Sequence, residues 1–575
     1  MQQVKVRNAK HRRTRAYPVL VLIVLLLLIP SGVLQGAELL RARPQTPSLP
    51  PRTIRLTDVN PYGGNFFLHL EVEEWKIDKT LQMAAQAGLG WVKQQFSWES
   101  IEKSPGKFFD DRYNRSTWER YELIVSTAAK YGLQVIARLD RPPPWAREPD
   151  STPMSPPRDY ADFGRFAYEV AKHFKGRVRF YQIWNEPNLT EEWGGKPIDP
   201  EAYVELLRVA YREIKRADPN AYVLSAPLAQ TVENNPAHMS DVAFLEEMYK
   251  HGAQPYFDIL FANAYGFDRP PEDPPDPQIL NFSRVLLLRE VMERHGDAAK
   301  PVWFNEFGWN AAPEDWPADR LLWRRVSEPE QAEYTVRAIE MARREWPWAG
   351  VFNIWFFRQA GHLGPDDAQY YFRMVDVGFT PRLVYRSVQE AALPLQAAGP
   401  GRFQETNPAL VPLTGWRYLV DAGAEAEGII ASASTGDKAA ITFNGGSIAL
   451  VAQMGPDAGR LYLALDGNGV AGLPRDEDGR SYVDLYSPAP IAQAVFPIVD
   501  GLGPGTHRLE MVVGAESDPR SAGRRVAVDA FVVGEASPFP WLQTTAGLLA
   551  VATVLGLVVW RRRRGFAAES DGGDG

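Results

Sequence analysis

RFYQIWNEPN (residues 179–188) and PVWFNEFGWN (residues 301–310) decide how this chain folds. In each, a β-type apolar run stops at a glutamate, Glu186 in the first and Glu306 in the second. Working outward from them, short apolar runs alternate with amphipathic helical stretches, the pattern of βαβ units around a parallel sheet. The predicted strands are Gly64–Leu70, Trp91–Phe96, Gln134–Leu139, Val178–Trp184, Tyr222–Ala226, Ile259–Ala264, Val302–Phe307 and Val351–Phe356. Between them, seven stretches from Asp78–Ala87 to Glu328–Trp346 carry helically spaced apolar residues. This α/β rhythm predicts a (β/α)₈ TIM barrel over residues 55–398. An open doubly wound sheet is the alternative, but no Gly-rich phosphate-binding turn follows the first strand.

From about residue 402 the rhythm changes. Short strands such as Gly428–Ala433, Ala440–Phe443, Ile448–Ala452, Leu461–Leu465 and Arg525–Val533 are separated by Gly, Asp and Pro turns. They predict an antiparallel β-sandwich over 402–536. The two ends read differently. A basic tail (1–16) precedes an apolar run within 17–36, a signal peptide or an uncleaved signal anchor. Near the other end, 541–560 is apolar, edged by Trp541 and Trp560, and runs into Arg561–Arg564. About 20 apolar residues span a bilayer, and flanking cations stay cytoplasmic. The expected topology is therefore two transmembrane helices with both termini (1–16 and 561–575) inside and everything between on the extracytoplasmic side. A Pro-rich linker (37–54, containing RPQTPSLPPR) leads into the barrel.

Composition removes several classes of function. The chain has 575 residues, no Cys, and Asp+Glu 71 against Lys+Arg 63, a net charge of -8. Disulfides, thiolate metal sites and a Cys nucleophile are excluded, and the charge balance does not suggest nucleic acid. No His or carboxylate cluster has metal-ligand spacing, so neither metal nor cofactor is expected. Trp at 17 suits both a Trp-rich core and clefts that stack on sugars.

Barrel enzymes build their sites at the C-terminal ends of strands, and strands four and seven face each other across the mouth. Taken alone, a strand-end Glu is often a helix cap or an ion-pair partner. Two on opposite strands form the carboxyl pair that glycoside hydrolysis requires, with Glu186 as general acid/base and Glu306 as nucleophile. A low-dielectric mouth and a neighbouring carboxylate should raise the pKa of Glu186.

These motifs resemble glycoside hydrolase clan A, which carries its acid/base in an Asn-Glu-Pro turn after strand four and its nucleophile after strand seven. Within the clan the likeness is to family thirty-nine (β-xylosidases and related endoglycosidases) and to family five cellulase-like enzymes. WVKQQFSWESIEKSPGKF (91–108) and LDRPPPWA (139–146) are similar to their second- and third-strand segments. The resemblance implies a retaining mechanism and further roles. Asn185 would bond the sugar 2-hydroxyl, Tyr265 would hold the nucleophile, and Trp355 would floor the bound sugar. Lys93 stands where the clan often has an Arg, without that residue's planar fork, and Asp140 and Trp98 would contact subsites. GLGPGTHRLEMVVGA and VAVDAFVV in the sandwich resemble the closing strands of carbohydrate-binding jelly-roll modules, although a plain spacer fits as well. The expected partner is an extracellular or envelope polysaccharide. Alternatives are a transglycosylase with the same site, a catalytically inactive glycan-binding surface protein, and a structural envelope protein.

Overall fold

The computed structural model describes residues 52–536 except Leu322. Eight parallel strands form one sheet: β1 Tyr62–Phe66, β2 Trp91–Ser97, β3 Gln134–Asp140, β4 Phe180–Ile183, β5 Tyr222–Leu224, β6 Leu260–Asn263, β7 Val302–Phe307 and β8 Ala349–Arg358. Their spatial order is β5-β4-β3-β2-β1-β8-β7-β6. A single parallel bridge, Leu224 to Ile259, joins the two outer strands and closes the ring. Each strand is followed by a helix on the outside: α1 Glu74–Gln86, α2 Glu119–Lys130, α3 Tyr160–His173, α4 Pro200–Ala217, α5 Asp241–Lys250, α6 Val285–Arg294, α7 Glu328–Glu345 and α8 Leu383–Ala392. This is the (β/α)₈ barrel.

Local sequence explains the helices. Asp199 accepts a bond from the Ala202 amide and is followed by Pro200, a residue preorganised for a first helical turn. Ser327 and Glu330 form a reciprocal capping box on α7. In α3 the buried residues Phe163, Phe166, Ala167, Val170 and Ala171 recur at helical spacing and face the sheet.

The strands are buried on both faces, so two apolar cores result. One lies between strands and helices. The other fills the lower barrel with Trp91, Ile136, Phe180, Tyr222, Phe261, Trp303 and Val351, plugged by Leu56 and Val59. The Trp91 and Trp303 rings meet edge-on at 4.8 Å. A Cβ at Gly350 would lie 2.1 Å from Nε1 of Trp303 and 2.8 Å from the Leu56 carbonyl. Trp303 is fully buried and cannot retreat. Gly350→Ala should therefore cost about 1–3 kcal/mol of stability, read as a lower urea midpoint with an unchanged slope.

Residues 52–54, expected in the linker, instead belong to the barrel floor. Arg52 donates to the Ala349 and Arg343 carbonyls at 2.7 and 2.6 Å, because the backbone at the bottom of the barrel offers it buried acceptors. The remaining linker, the tails at 1–16 and 561–575, and the expected spans at 17–36 and 541–560 lie outside the described residues. Among the described residues, no helix is long and apolar enough to cross a membrane.

The C-terminal unit is two antiparallel sheets around one apolar core. One sheet runs Arg417–Val420, Gly428–Ser432, Val526–Gly534, Ser447–Met454, Ile491–Val499, with Gly401–Gln404 also paired to Val526–Gly534. The other is built on Lys438–Asn444, Thr506–Val513 and Arg460–Leu465. The sandwich docks against the barrel floor. Asp58 accepts the Gln404 amide at 2.7 Å and the Asn407 side chain at 2.8 Å, and Asn220 accepts the Val420 amide at 3.1 Å. The C-terminal ends of the barrel strands lie at the opposite end from this joint.

Candidate active site

Strand alternation explains why a polar layer sits above the apolar floor. On β2, Trp91, Lys93 and Gln95 share the inward face, and on β3 Ile136, Arg138 and Asp140 do so. Each strand thus begins apolar and turns polar toward the mouth. Asn65, Asn263, Asn305 and Asn353 extend this lining and are buried. Asn65 donates to the Asn305 carbonyl at 3.0 Å, and Asn305 donates to Asn263 Oδ1 at 2.8 Å.

Glu306 lies inside β7, next to its last residue, and is 7% exposed. Lys93 Nζ reaches its Oε1 at 3.1 Å, and the Tyr265 hydroxyl donates to its Oε2 at 2.8 Å. Burial pulls the Lys93 ammonium down to about 8, against the opposing charge of Glu306. Burial and the Glu306 charge push the Tyr265 phenol well above its ordinary value, so it remains a donor.

Glu186 follows β4 in a tight turn. Trp184 (φ 71°) and Glu186 (φ 44°) both occupy the left-handed region, a strained geometry common at functional sites. The surroundings hold it there. Glu186 N donates to the Pro227 carbonyl at 2.9 Å. Asn188 clamps the same turn, donating to the Ala229 and Met239 carbonyls and accepting the Ala229 amide. Asn263 Nδ2 donates to Glu186 Oε1 at 2.6 Å. Burial first, then the charges of Glu306 and Glu192, push the Glu186 carboxyl up to about 8. Burial and the neighbouring charge of Glu306 thus favour its protonated form.

The other expected residues divide. Asn185 is buried beside Glu186, its Oδ1 unpartnered among the described residues and its amide directed at Glu192. An unmet buried acceptor suits a donor arriving from a ligand. Trp355 is half-buried and edge-on to Phe67 at 5.8 Å, and its Nε1 has no partner among the described residues. The Trp355–Phe356 peptide is cis. Asp140 is buried and occupied, accepting Gln95 at 2.8 Å and pairing with Arg138. It supports the lining rather than offering a free contact.

Trp98 is a correction. It is fully buried, stacked on Phe166 at 5.2 Å with its indole bonded to Glu102 at 2.6 Å. Apolar neighbours from α3 outcompete the cleft for its ring, so it has no face to offer a sugar. The sequence reading also passed over Asn263, Arg138, Glu192 and Trp323, whose ring stacks on Tyr265 at 5.3 Å. The inward polar positions of β3 carried a signal for Arg138. Trp323 lies in the long loop after β7, where no periodicity marks it.

No family model matches the chain. Among curated proteins, a β-xylosidase from Geobacillus stearothermophilus is 31% identical over 77 residues, 12% of this chain and 15% of its own. A β-xylosidase from Caldicellulosiruptor saccharolyticus is 36% identical over 73 residues, 11% of this chain and 14% of its own. These matches thus span only a small part of either relative. Among solved structures, a family 39 glycoside hydrolase from Bacteroides cellulosilyticus shares 17% identity, covering 81% of this chain and 82% of that one at a TM-score of 0.45. A monomeric β-xylosidase from Caulobacter crescentus shares 14%, covering 81% and 97% at a TM-score of 0.42. An exo-β-1,4-mannosidase from an Opitutaceae bacterium shares 19%, covering 60% and 62% at a TM-score of 0.42. The chain is therefore similar to β-xylosidases over short stretches among curated sequences and to family 39 glycoside hydrolases among solved structures; its two glutamate motifs resemble clan A, with likeness to families thirty-nine and five.

Proposed function

We propose that this chain is a retaining glycoside hydrolase acting on extracellular or envelope polysaccharide, tethered through the segments at 17–36 and 541–560. One observation carries the reading: two carboxyls share a barrel mouth, one buried so that its acid form is favoured and the other gripped as an acceptor by Lys93 and Tyr265. In the first half-reaction Glu306 attacks the anomeric carbon while Glu186 protonates the departing oxygen. In the second, the Glu186 carboxylate takes a proton from water, which attacks the same carbon and frees Glu306. Asn185 would bond the sugar 2-hydroxyl as the transition state forms, and Trp355 would lie beneath the ring.

The curated relatives make aryl β-xylosides the first substrates to try, followed by mannosides, glucosides and polymeric glycans. Proton NMR of the first-formed product tests the mechanism: the same anomeric configuration as the substrate is expected, and inversion would reject the nucleophile. A transglycosylase would instead yield longer oligosaccharides from the same intermediate. A chain that binds glycans without cleaving any would fit the inactive surface-protein reading.

The pH profile follows from Glu186. Its acid form predominates below about 8, where burial places the carboxyl, and only that form donates a proton. Lys93 loses its charge in the same range. kcat/KM should fall about tenfold per unit above pH 8, and faster where both losses overlap. A profile already falling above pH 5 would contradict a buried acid. For location, protease added to intact cells should remove the barrel, whereas complete protection would reject an outward-facing domain.

A further inference from the structure

A cavity of about 590 Å³ opens at the joint between the barrel floor and the sandwich, within the range of roughly 300–1,000 Å³ usual for ligand pockets. Its barrel wall comes from the N-terminal ends of β2, β3 and β4, so it lies at the opposite end of the strands from Glu186 and Glu306. Lys175, Arg177 and Arg179 line it from the barrel, and Trp416, Arg417 and Arg508 from the sandwich. Asp218 is the acidic member of the lining and is spent capping its own turn, accepting the Asn220 amide at 3.0 Å.

This charge runs against the chain's net -8. Arg177 is paired with Glu122, and Arg508 lies 3.4 Å from Glu510. Among the described residues, Lys175, Arg179 and Arg417 have no carboxylate within ion-pair distance. Arg179 is wedged between the rings of Tyr222 and Tyr418, 5.1 and 4.7 Å from their centroids. Its Nε is buried with no partner, and so is Nε1 of Trp416, a residue only 7% exposed. Buried donors without acceptors are costly and uncommon. Here both belong to residues that line a cavity collecting three cations without carboxylate partners, of which Lys175 donates to the Ala217 carbonyl at 2.9 Å.

We propose that this joint is a second glycan-binding site, selective for carboxylated sugars such as uronic acid residues, and separate from the catalytic mouth. Guanidinium groups match carboxylates with two parallel hydrogen bonds, and Arg179 and Arg417 place two of them on this lining. The choice of a glycan as the anion rests on the glycosidase reading. The site would hold an acidic chain at the floor while the mouth works elsewhere on the polymer.

Affinity electrophoresis and calorimetry of the full chain in detergent, with polygalacturonate, neutral xylan and inorganic polyphosphate as probes, test this. Polygalacturonate should bind, weaken at higher salt, and bind at least tenfold more weakly to Arg417→Glu, an exposed position chosen so that the fold survives. Arg179→Gln should act in the same direction. Hydrolysis of a small aryl glycoside by Arg417→Glu should be unchanged, and Glu306→Gln should still bind polygalacturonate. This last arm separates failure of the joint from failure of the catalytic reading. Equal binding of neutral xylan, binding of polyphosphate alone, no binding, or binding untouched by Arg417→Glu would each overturn the proposal.

Discussion

Replacing Glu306 with Gln should reduce kcat by about 10⁴-fold or more, equivalent to about 5.4 kcal/mol of barrier. The amide keeps the side chain's shape but cannot form the glycosyl ester, so the proposed double displacement would stop at its first step. It also faces Lys93 Nζ and the Tyr265 hydroxyl, both donors, with only one acceptor oxygen where the carboxylate offered two. Glu306→Ala opens room for a small external nucleophile. Added azide should then restore turnover of an activated aryl glycoside and give a glycosyl azide of inverted configuration. Residual activity of Glu306→Gln within tenfold of the parent would remove this residue from the reaction.

Replacing Glu186 with Gln should cost about 10²–10⁴-fold on substrates whose leaving group needs a proton. The loss should shrink sharply on dinitrophenyl glycosides, whose phenolate leaves unaided. The alkaline limb near pH 8 should also become shallower, because only the Lys93 loss remains there once the Glu186 acid is gone. An equal loss on good and poor leaving groups would mean that Glu186 positions the site instead of donating a proton.

The barrel was legible because burial on both faces marks parallel strands as dense apolar runs. The edges were not. β1 is Tyr62–Phe66 and not Gly64–Leu70, because Gly63 is needed where a Cβ would sit 2.5 Å from Asn353 Oδ1, and Leu68–Leu70 instead turns as a 3₁₀ helix. α8 was overlooked: its N-cap, Arg382, makes no side-chain capping bond. In the sandwich, Pro497 hid the strand Ile491–Val499, which accommodates it beside a register shift. The two glutamates stood out because each ends a strand. Asn263 and Arg138 did not, because what they touch is distant in sequence. A buried Trp and a sugar-stacking Trp look alike in a string of letters, which is how Trp98 was misplaced.

The ring is not equally fastened all the way round. Between β6 and β7 a run of backbone pairs extends from Leu260 to Asn263, whereas β5 meets β6 through one bridge. Backbone bonds from Asp258 and Ile259 to the Val223 carbonyl and from Ser225 to the Ile259 carbonyl cross that seam, and side chains add to them, with Asp258 accepting the Val223 amide and Ser225 accepting the Phe261 amide. Local opening starts where backbone pairing is sparse. Glu186 leans on Pro227, just past this seam, while Glu306 lies on a strand paired on both sides, beside a bulge at Asn305. One carboxyl is thus anchored like a vice jaw, and its opposite number rides on the side that yields. That division suits a pair in which one partner must form a bond at a fixed point while the other gives up a proton and later retrieves one.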